Sequence, residues 1–550
     1  MPTDLHTPKS LPSSLQFEQH DTSDKFSKGI TSLTVDIPDS NKYQQLDGVR
    51  PLPRWRTPEF LFYYVVAAVV IPYMAWVPIS LSSPAHVNYP YYRKRLSQGW
   101  ILGREVDNSD SQYRAFRNNV SALFFLALIY LSLKSIYSRS ATRSSSIIPK
   151  DNLHHVPFTI LFSILHLIGL HGTSTIKIFV ILTANYGIGK VFGGSRLGPL
   201  ITWVFNAIVI FTNERNAGYR FSDLHPSLAG WDTFEGLYPR WHISFNITML
   251  RLVSFNMDYF WACPESALTE KQRAATPHPL DQYSYANYLA YVLFPPLYIA
   301  GPIVTFNNFM WQLRRPLDIP WRTVLGYLMR FLICFLTMEF ILHFMYMVSI
   351  KDTKAWYGDT PLELSMIGFW NLIIVWLKLL LPWRFFRLWS LASGIDAPEN
   401  MVRCMANNYS TLGFWRSWHR SYNLWIVRYI YIPLGGTKNV VATTVLVFSF
   451  VALWHDLSFR LLAWGWLYGR HAWYRHVCAL GGVLNILMMI SANLVGFVIG
   501  TEGVGYMINE MMGLRGLRFL IAACSCLFVG VQLMFEYREE EMRRGIFRRC

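Results

Sequence analysis

Val440-Val441-Ala442-Thr443-Thr444-Val445-Leu446-Val447-Phe448-Ser449-Phe450-Val451-Ala452-Leu453-Trp454-His455 is an apolar run that ends on a titratable ring. A second apolar stretch resumes shortly after it, so the run reads as a membrane segment with an imidazole at hydrocarbon depth. An ionisable side chain there is expensive and marks a functional site by default. Burial disfavours the charged imidazolium and leaves a neutral ring able to take a proton. The competing reading is a core histidine satisfied by Asp456 or by a backbone carbonyl. Asp456 is the next residue, however, and on a helix it faces elsewhere. Ser458 lacks a G-x-S-x-G elbow, so a covalent serine route is not expected.

Comparable runs recur along the chain. Apolar stretches near 60–80, 117–137, 156–171, 175–193, 197–212, 284–300, 323–349, 364–382, 440–456, 460–474, 480–500 and 517–535 predict about ten to thirteen helical spans, several of them short enough to be tilted or re-entrant. Of the 550 residues, 52% are hydrophobic and 15% charged, well below the share of charge in soluble domains. The expected fold class is therefore all-α: a polytopic membrane bundle with interfacial helices and a central passage.

The formal net charge of +16 does not indicate nucleic acid. Basic residues cluster in short loops beside apolar runs, as in Tyr92-Arg93-Lys94-Arg95, which suits lipid headgroups and orientation signals. The seven cysteines form no C-x-x-C pair, which argues against a disulfide framework or a zinc site. Cys550 lacks a C-a-a-X setting. Residues 1–56 are polar and aperiodic and read as a disordered tail, with the membrane domain following over 57–550. The first apolar run, from Phe60, is expected to be an uncleaved anchor into the secretory membrane system. The loop 84–115 is expected on the membrane surface.

Three further stretches shape the reading. Trp241 to Arg251 mixes polar and apolar residues at helical spacing, which predicts an interfacial or partly buried helix. Phe294-Pro295-Pro296-Leu297-Tyr298-Ile299-Ala300-Gly301-Pro302 breaks an apolar stretch. It is either a re-entrant turn beside a substrate passage or a tight turn between two helices. Gly187-Ile188-Gly189-Lys190-Val191-Phe192-Gly193-Gly194 has neither the strand nor the spacing of a nucleotide loop, and its small residues indicate close helix packing.

From Leu412 to Ile432 the positions Trp415, Trp418, Tyr422, Trp425, Tyr429 and Ile432 form a helical stripe. Arg416, His419, Arg420 and Asn423 occupy the adjoining face. Asn423, four residues after His419, is placed to hold that imidazole in one tautomer. Spacing alone favours packing for such a stripe; the buried His455 shifts the balance towards chemistry.

Phe414-Trp415-Arg416-Ser417-Trp418-His419-Arg420-Ser421, Tyr429-Ile430-Tyr431-Ile432-Pro433-Leu434-Gly435-Gly436 and Trp454-His455-Asp456 resemble the membrane-bound O-acyltransferases. Pro53 to Phe60, Trp241 to Asp258 and Asn400 to Ser410 resemble the fungal glycerol-uptake branch of that family, which is related to Hedgehog acyltransferase. The resemblance implies an enzyme of the endoplasmic-reticulum membrane that moves an acyl chain from acyl-CoA to the hydroxyl of a lyso-form glycosylphosphatidylinositol (GPI) anchor. By this resemblance His455 corresponds to the family's hallmark histidine and is expected to act as base. His419 matches a second site position, where the Hedgehog branch carries aspartate, and Arg416, Trp418 and Asn423 support it. Cys404 falls where the Hedgehog branch has a haem-binding cysteine; no metal is otherwise expected. Proton-coupled glycerol transport and a catalytically inactive regulator remain as alternatives. The transporter reading lacks a second broken helix matching 294–302.

Overall fold

The computed structural model describes residues 52–144, 151–263, 276–434, 474–544 and 546. Among these, eight helices are long and apolar enough to cross a membrane: Pro58–Leu81, Ser111–Ala141, Leu153–His171, Ser174–Phe192, Trp321–Phe344, Pro361–Ala392, Cys478–Val498 and Leu514–Arg543. The expected span at 440–456 and all but the last residue of that at 460–474, together with His455, Asp456 and Ser458, lie outside the described residues, as do 1–51 of the N-terminal tail. Helix starts follow local chemistry. Thr57 accepts a hydrogen bond from the Phe60 N–H ahead of Pro58. Thr360 and Glu363 form a reciprocal capping box around Pro361, satisfying amide groups that a helix start otherwise leaves open.

Two expected spans take another form. The stretch 284–300 is a helix Tyr285–Val292 followed by a single turn Pro295–Tyr298, because Pro295 and Pro296 cannot continue the hydrogen-bond ladder. The stretch 323–349 ends as a helix at Phe344, and a separate helix spans Met347–Thr353. The Gly198–Arg215 helix does form, but its buried positions include Thr202, Asn206 and Asn213.

The largest departure concerns Trp241–Ala262. The mixed pattern predicts an interfacial helix, yet every residue from Thr248 to Asp258 is buried. The polar groups of this buried stretch each meet a specific partner, and amphipathicity in sequence therefore does not become exposure. The Asn256 amide donates to the Asn185 carbonyl at 3.0 Å and to the Thr202 hydroxyl at 3.1 Å. Gly189 and Gly193 allow this closeness: a Cβ there would collide with the Asn256 side chain and the Tyr259 ring respectively. The small-residue packing expected at 187–194 is thus present.

The broken segment after Val292 is held from inside the protein. Arg251 is 1% exposed. Its guanidinium donates to the Val292 carbonyl at 2.8 Å and to the Leu297 carbonyl. Irregular backbone at membrane depth survives only when its groups are satisfied internally, and Arg251 supplies that here.

Buried carboxylates join the remaining helices. Glu339 receives both arms of Arg117 at 2.7 Å each and the Trp100 indole N–H at 2.8 Å. Trp100 sits beside a short hairpin that pairs Ser97–Gln98 with Glu105–Val106, so the 84–115 loop is anchored to the Trp321–Phe344 helix. Glu399 accepts from the Tyr327 hydroxyl at 2.8 Å and lies within ion-pair distance of Arg384 and Arg387.

Arg251→Met should leave the buried Val292 carbonyl unpartnered, while the Leu297 carbonyl keeps its bond from the Gly301 N–H at 3.3 Å. We expect a loss of roughly 1–3 kcal/mol, read as a lowered thermal midpoint of the detergent-solubilised protein. An unchanged midpoint would show that the break does not depend on Arg251.

Candidate active site around His419

The stripe from 412 to 432 is not one helix. Thr411–Ser417 is helical, Trp418 is extended at ψ 131°, and His419 takes the left-handed conformation at φ 45° and ψ 49°. Helix resumes over Arg420–Ile426 and widens to a π-helix over Val427–Tyr431. Periodicity cannot register such a break, because the tryptophans and tyrosines on either side still point into the protein. Left-handed backbone is unfavourable for residues with a Cβ, although histidine tolerates it better than most.

Asn400 fixes the reversal. Its carbonyl accepts from the Arg420 N–H at 3.0 Å, and its side-chain oxygen accepts from the Ser421 N–H at 3.0 Å. Two amides of the new helix are thereby satisfied from another loop, a task usually given to an N-cap side chain. The Ser421 hydroxyl in turn accepts from the Ile303 N–H at 2.9 Å, tying the helix to the backbone that follows the 294–302 break. Trp425 donates from its indole to the Leu250 carbonyl at 2.9 Å, which seats the same helix on the buried Trp241–Ala262 helix.

The His419 ring lies between two aromatic rings. Trp383, just after Pro382 in the Pro361–Ala392 helix, is 4.5 Å away edge to face, and Tyr422 is 5.3 Å away. The half-buried imidazole is therefore orientated by packing. Asn423 does not orient it as expected: its side-chain amide donates to the Trp415 carbonyl at 3.2 Å, bridging the helix break. A four-residue spacing would favour a His–Asn contact only on uninterrupted helix. Trp418 stacks on Phe414 at 5.3 Å. Arg416 is exposed.

The π-helix carries a second polar centre. Arg428 donates to the buried Asp258 carboxylate at 2.7 Å, and the Tyr429 hydroxyl donates to it at 3.0 Å. Asp258 also accepts from the Asn307 N–H at 3.0 Å. Asn400, Ser421, Trp383 and Asp258 were not singled out from the sequence as site residues. Asn400 and Ser421 lie inside the motif strings, but their partners are remote in sequence.

Cys404 stands in the loop that carries Asn400. Arg403 pairs with Glu541 at 2.9 Å and Arg538 donates to the Asn407 carbonyl at 2.7 Å, pinning this loop to the Leu514–Arg543 helix. Burial pushes the Cys404 thiol up to about 11. Nothing in this loop supports a haem at Cys404. Among the described residues, no group of three or more His, Cys, Asp or Glu side chains is placed to hold a metal ion.

Comparison with known proteins agrees with this architecture. The membrane-bound O-acyltransferase (MBOAT) family profile matches residues 230–474, which takes in the buried helix, the break and the His419 segment. The chain is 44% identical over 534 residues to the membrane-bound O-acyltransferase GUP1 of Saccharomyces cerevisiae, covering 90% of this chain and 94% of that protein. It is 43% identical to GUP1 of Candida tropicalis, covering 93% of each. A more distant likeness, 25% identity over 48% of this chain and 52% of the other, links it to the mouse protein-cysteine N-palmitoyltransferase HHAT. The chain belongs to the membrane-bound O-acyltransferase family and is an acyltransferase.

Replacing His419 tests its backbone. His419→Ala and His419→Gly lose the same ring contacts, but only glycine is at ease at positive φ. We expect the glycine variant to melt higher, by the equivalent of about 1 kcal/mol. Equal or reversed midpoints would contradict the left-handed turn.

Proposed function

We propose that this protein transfers a fatty acyl chain from acyl-CoA to a lipid hydroxyl, with the lyso-form of a GPI anchor as acceptor, in the endoplasmic-reticulum membrane. The observation that carries this reading is the placement of His419. A turn fixed by Asn400 and clasped to Ile303 through Ser421 presents the imidazole between Trp383 and Tyr422. A half-buried, orientated imidazole within a family of O-acyltransferases suits acceptor positioning or stabilisation of developing charge. The acceptor and compartment follow from the motif resemblance of 53–60, 241–258 and 400–410.

In this mechanism His455 takes the proton from the acceptor hydroxyl as its oxygen attacks the thioester carbonyl. The carbon–sulfur bond breaks, an ester forms, and the proton passes to the departing CoA thiolate. His419 contributes hydrogen bonding and orientation. Base assistance is typically worth about 10²–10⁴-fold in rate.

Purified protein in lipid nanodiscs, supplied with labelled long-chain acyl-CoA and lyso-GPI, tests this directly. His455→Ala should lower turnover by about 10²-fold or more, and His419→Ala by about 10²-fold, both with the wild-type elution profile. Full turnover in folded His455→Ala would sink the mechanism. Glycerol flux into reconstituted vesicles without acyl-CoA, and no ester product, would favour transport instead.

A further inference from the structure

His166 is a buried imidazole that the mechanism above does not use. It lies in the membrane-spanning helix Val156–His171 and is 8% exposed. Thr159, Ser163 and His166 share one face, a polar stripe turned towards the 294–302 break. The two hydroxyls are satisfied: Thr159 donates to the His155 carbonyl at 3.0 Å, and Ser163 to the Thr159 and Leu293 carbonyls at 2.6 and 3.0 Å. His166 differs. Neither of its ring nitrogens has a hydrogen-bond partner among the described residues. Leaving a buried polar group unmatched costs about 1–3 kcal/mol each, and a phenylalanine of similar shape would avoid that cost.

The surroundings narrow what fits. The rings nearest His166 are Phe162 at 6.4 Å and Tyr298, edge to face, at 6.3 Å. Tyr298 belongs to the turn held by Arg251. Its hydroxyl lies 3.2 Å from His171 Nε2, while His171 Nδ1 lies 2.9 Å from the Tyr238 carbonyl. A carbonyl only accepts, so Nδ1 carries the His171 proton, Nε2 accepts, and Tyr298 is the donor. Thr248 also hydrogen-bonds to the Tyr298 hydroxyl, so the unmatched donor and acceptor here are those of His166. A neutral imidazole adds one donor and one acceptor. A thioester carbonyl matches only the donor. A cation would want a carboxylate, and none is among these ring and hydrogen-bond partners. A hydroxyl both donates and accepts, and it matches the set.

The same turn runs on through Gly301 and Pro302 to Ile303, whose N–H is held by Ser421 on the helix that His419 opens. We infer that His166, beside the Tyr298 ring, binds the hydroxyl-bearing headgroup of the lipid acceptor as it approaches the His419 segment. This rests on the acyl-transfer reading for its place in the reaction, but not for binding itself.

Lysophosphatidylinositol is the probe, measured in nanodiscs both by direct binding and as acceptor with labelled acyl-CoA. His166→Phe should fold with an equal or higher thermal midpoint. It should bind the lysolipid about tenfold or more weakly and raise the acceptor KM to match, with the KM for acyl-CoA unchanged; tenfold corresponds to about 1.4 kcal/mol. His166→Asn, which retains a donor and an acceptor, should recover part of the affinity. Equal lysolipid affinity in wild type and His166→Phe overturns the inference and leaves His166 a core residue or the seat of an internal water. A shift confined to acyl-CoA overturns it as well, as does wild-type protein that binds no lysolipid. Should His166→Phe not fold, wild-type protein labelled with a photoreactive inositol lysolipid decides: crosslinks within 163–171 or 295–303 support the site, and labelling elsewhere overturns it. Binding lost in His166→Phe while wild type shows no turnover would retain this site and sink the acyl-transfer reading. Turnover with an unaltered acceptor KM would do the reverse.

Discussion

One constraint shapes this molecule: a backbone or side-chain polar group left unmatched at hydrocarbon depth costs several kcal/mol. Arg251 meets that constraint at the most demanding place. Two prolines interrupt a segment that would otherwise be helix, freeing carbonyls in the middle of the bundle. A guanidinium with donors in a planar fork can serve two carbonyls at once. Its position in the enclosed stretch Thr248–Asp258 gives the broken turn a rigid back wall. Without that wall, Ile303 would have no fixed place from which to meet Ser421, and the reversal at His419 would lose one of its two anchors.

The same rule explains why charge is so abundant inside an apolar protein. Glu339, Glu399 and Asp258 are each almost fully enclosed, yet each gathers cationic or hydroxyl donors from elements distant in sequence. Such groups add little net stability over well-packed apolar side chains, but removing a single partner is costly. They act as registration marks, setting which helix lies against which and at what depth. The aromatic residues complete the arrangement. Trp383 and Tyr422 flank the His419 ring and set its orientation.

Periodicity and hydropathy carried the architecture well. Long apolar helices at 58–81, 111–141, 321–344, 361–392, 478–498 and 514–543 appear where uninterrupted apolar runs require them, and Gly189 with Gly193 marks a close helix contact. The reading failed where partners came from afar. Trp241–Ala262 reads as interfacial because its polar residues show in the sequence while the groups that satisfy them do not. The stripe at 412–432 reads as one helix because a left-handed residue leaves the inward spacing of the aromatics nearly intact. Asn423 was assigned to His419 on the same assumption and instead closes the gap to Trp415.

The sequence by itself determined the solvent this protein folds in, the helical character of nearly every segment and, through its motif strings, its family. Those are properties of local composition and spacing, set by the length of apolar runs against bilayer thickness. Only the tertiary structure decided which polar groups stand together: Arg251 beneath the broken turn, Asn400 at the reversal, Ser421 on Ile303, and His166 facing Tyr298. Hydrogen-bond matching in a medium without water is a long-range requirement, and no local pattern in the chain records which distant residue will meet it.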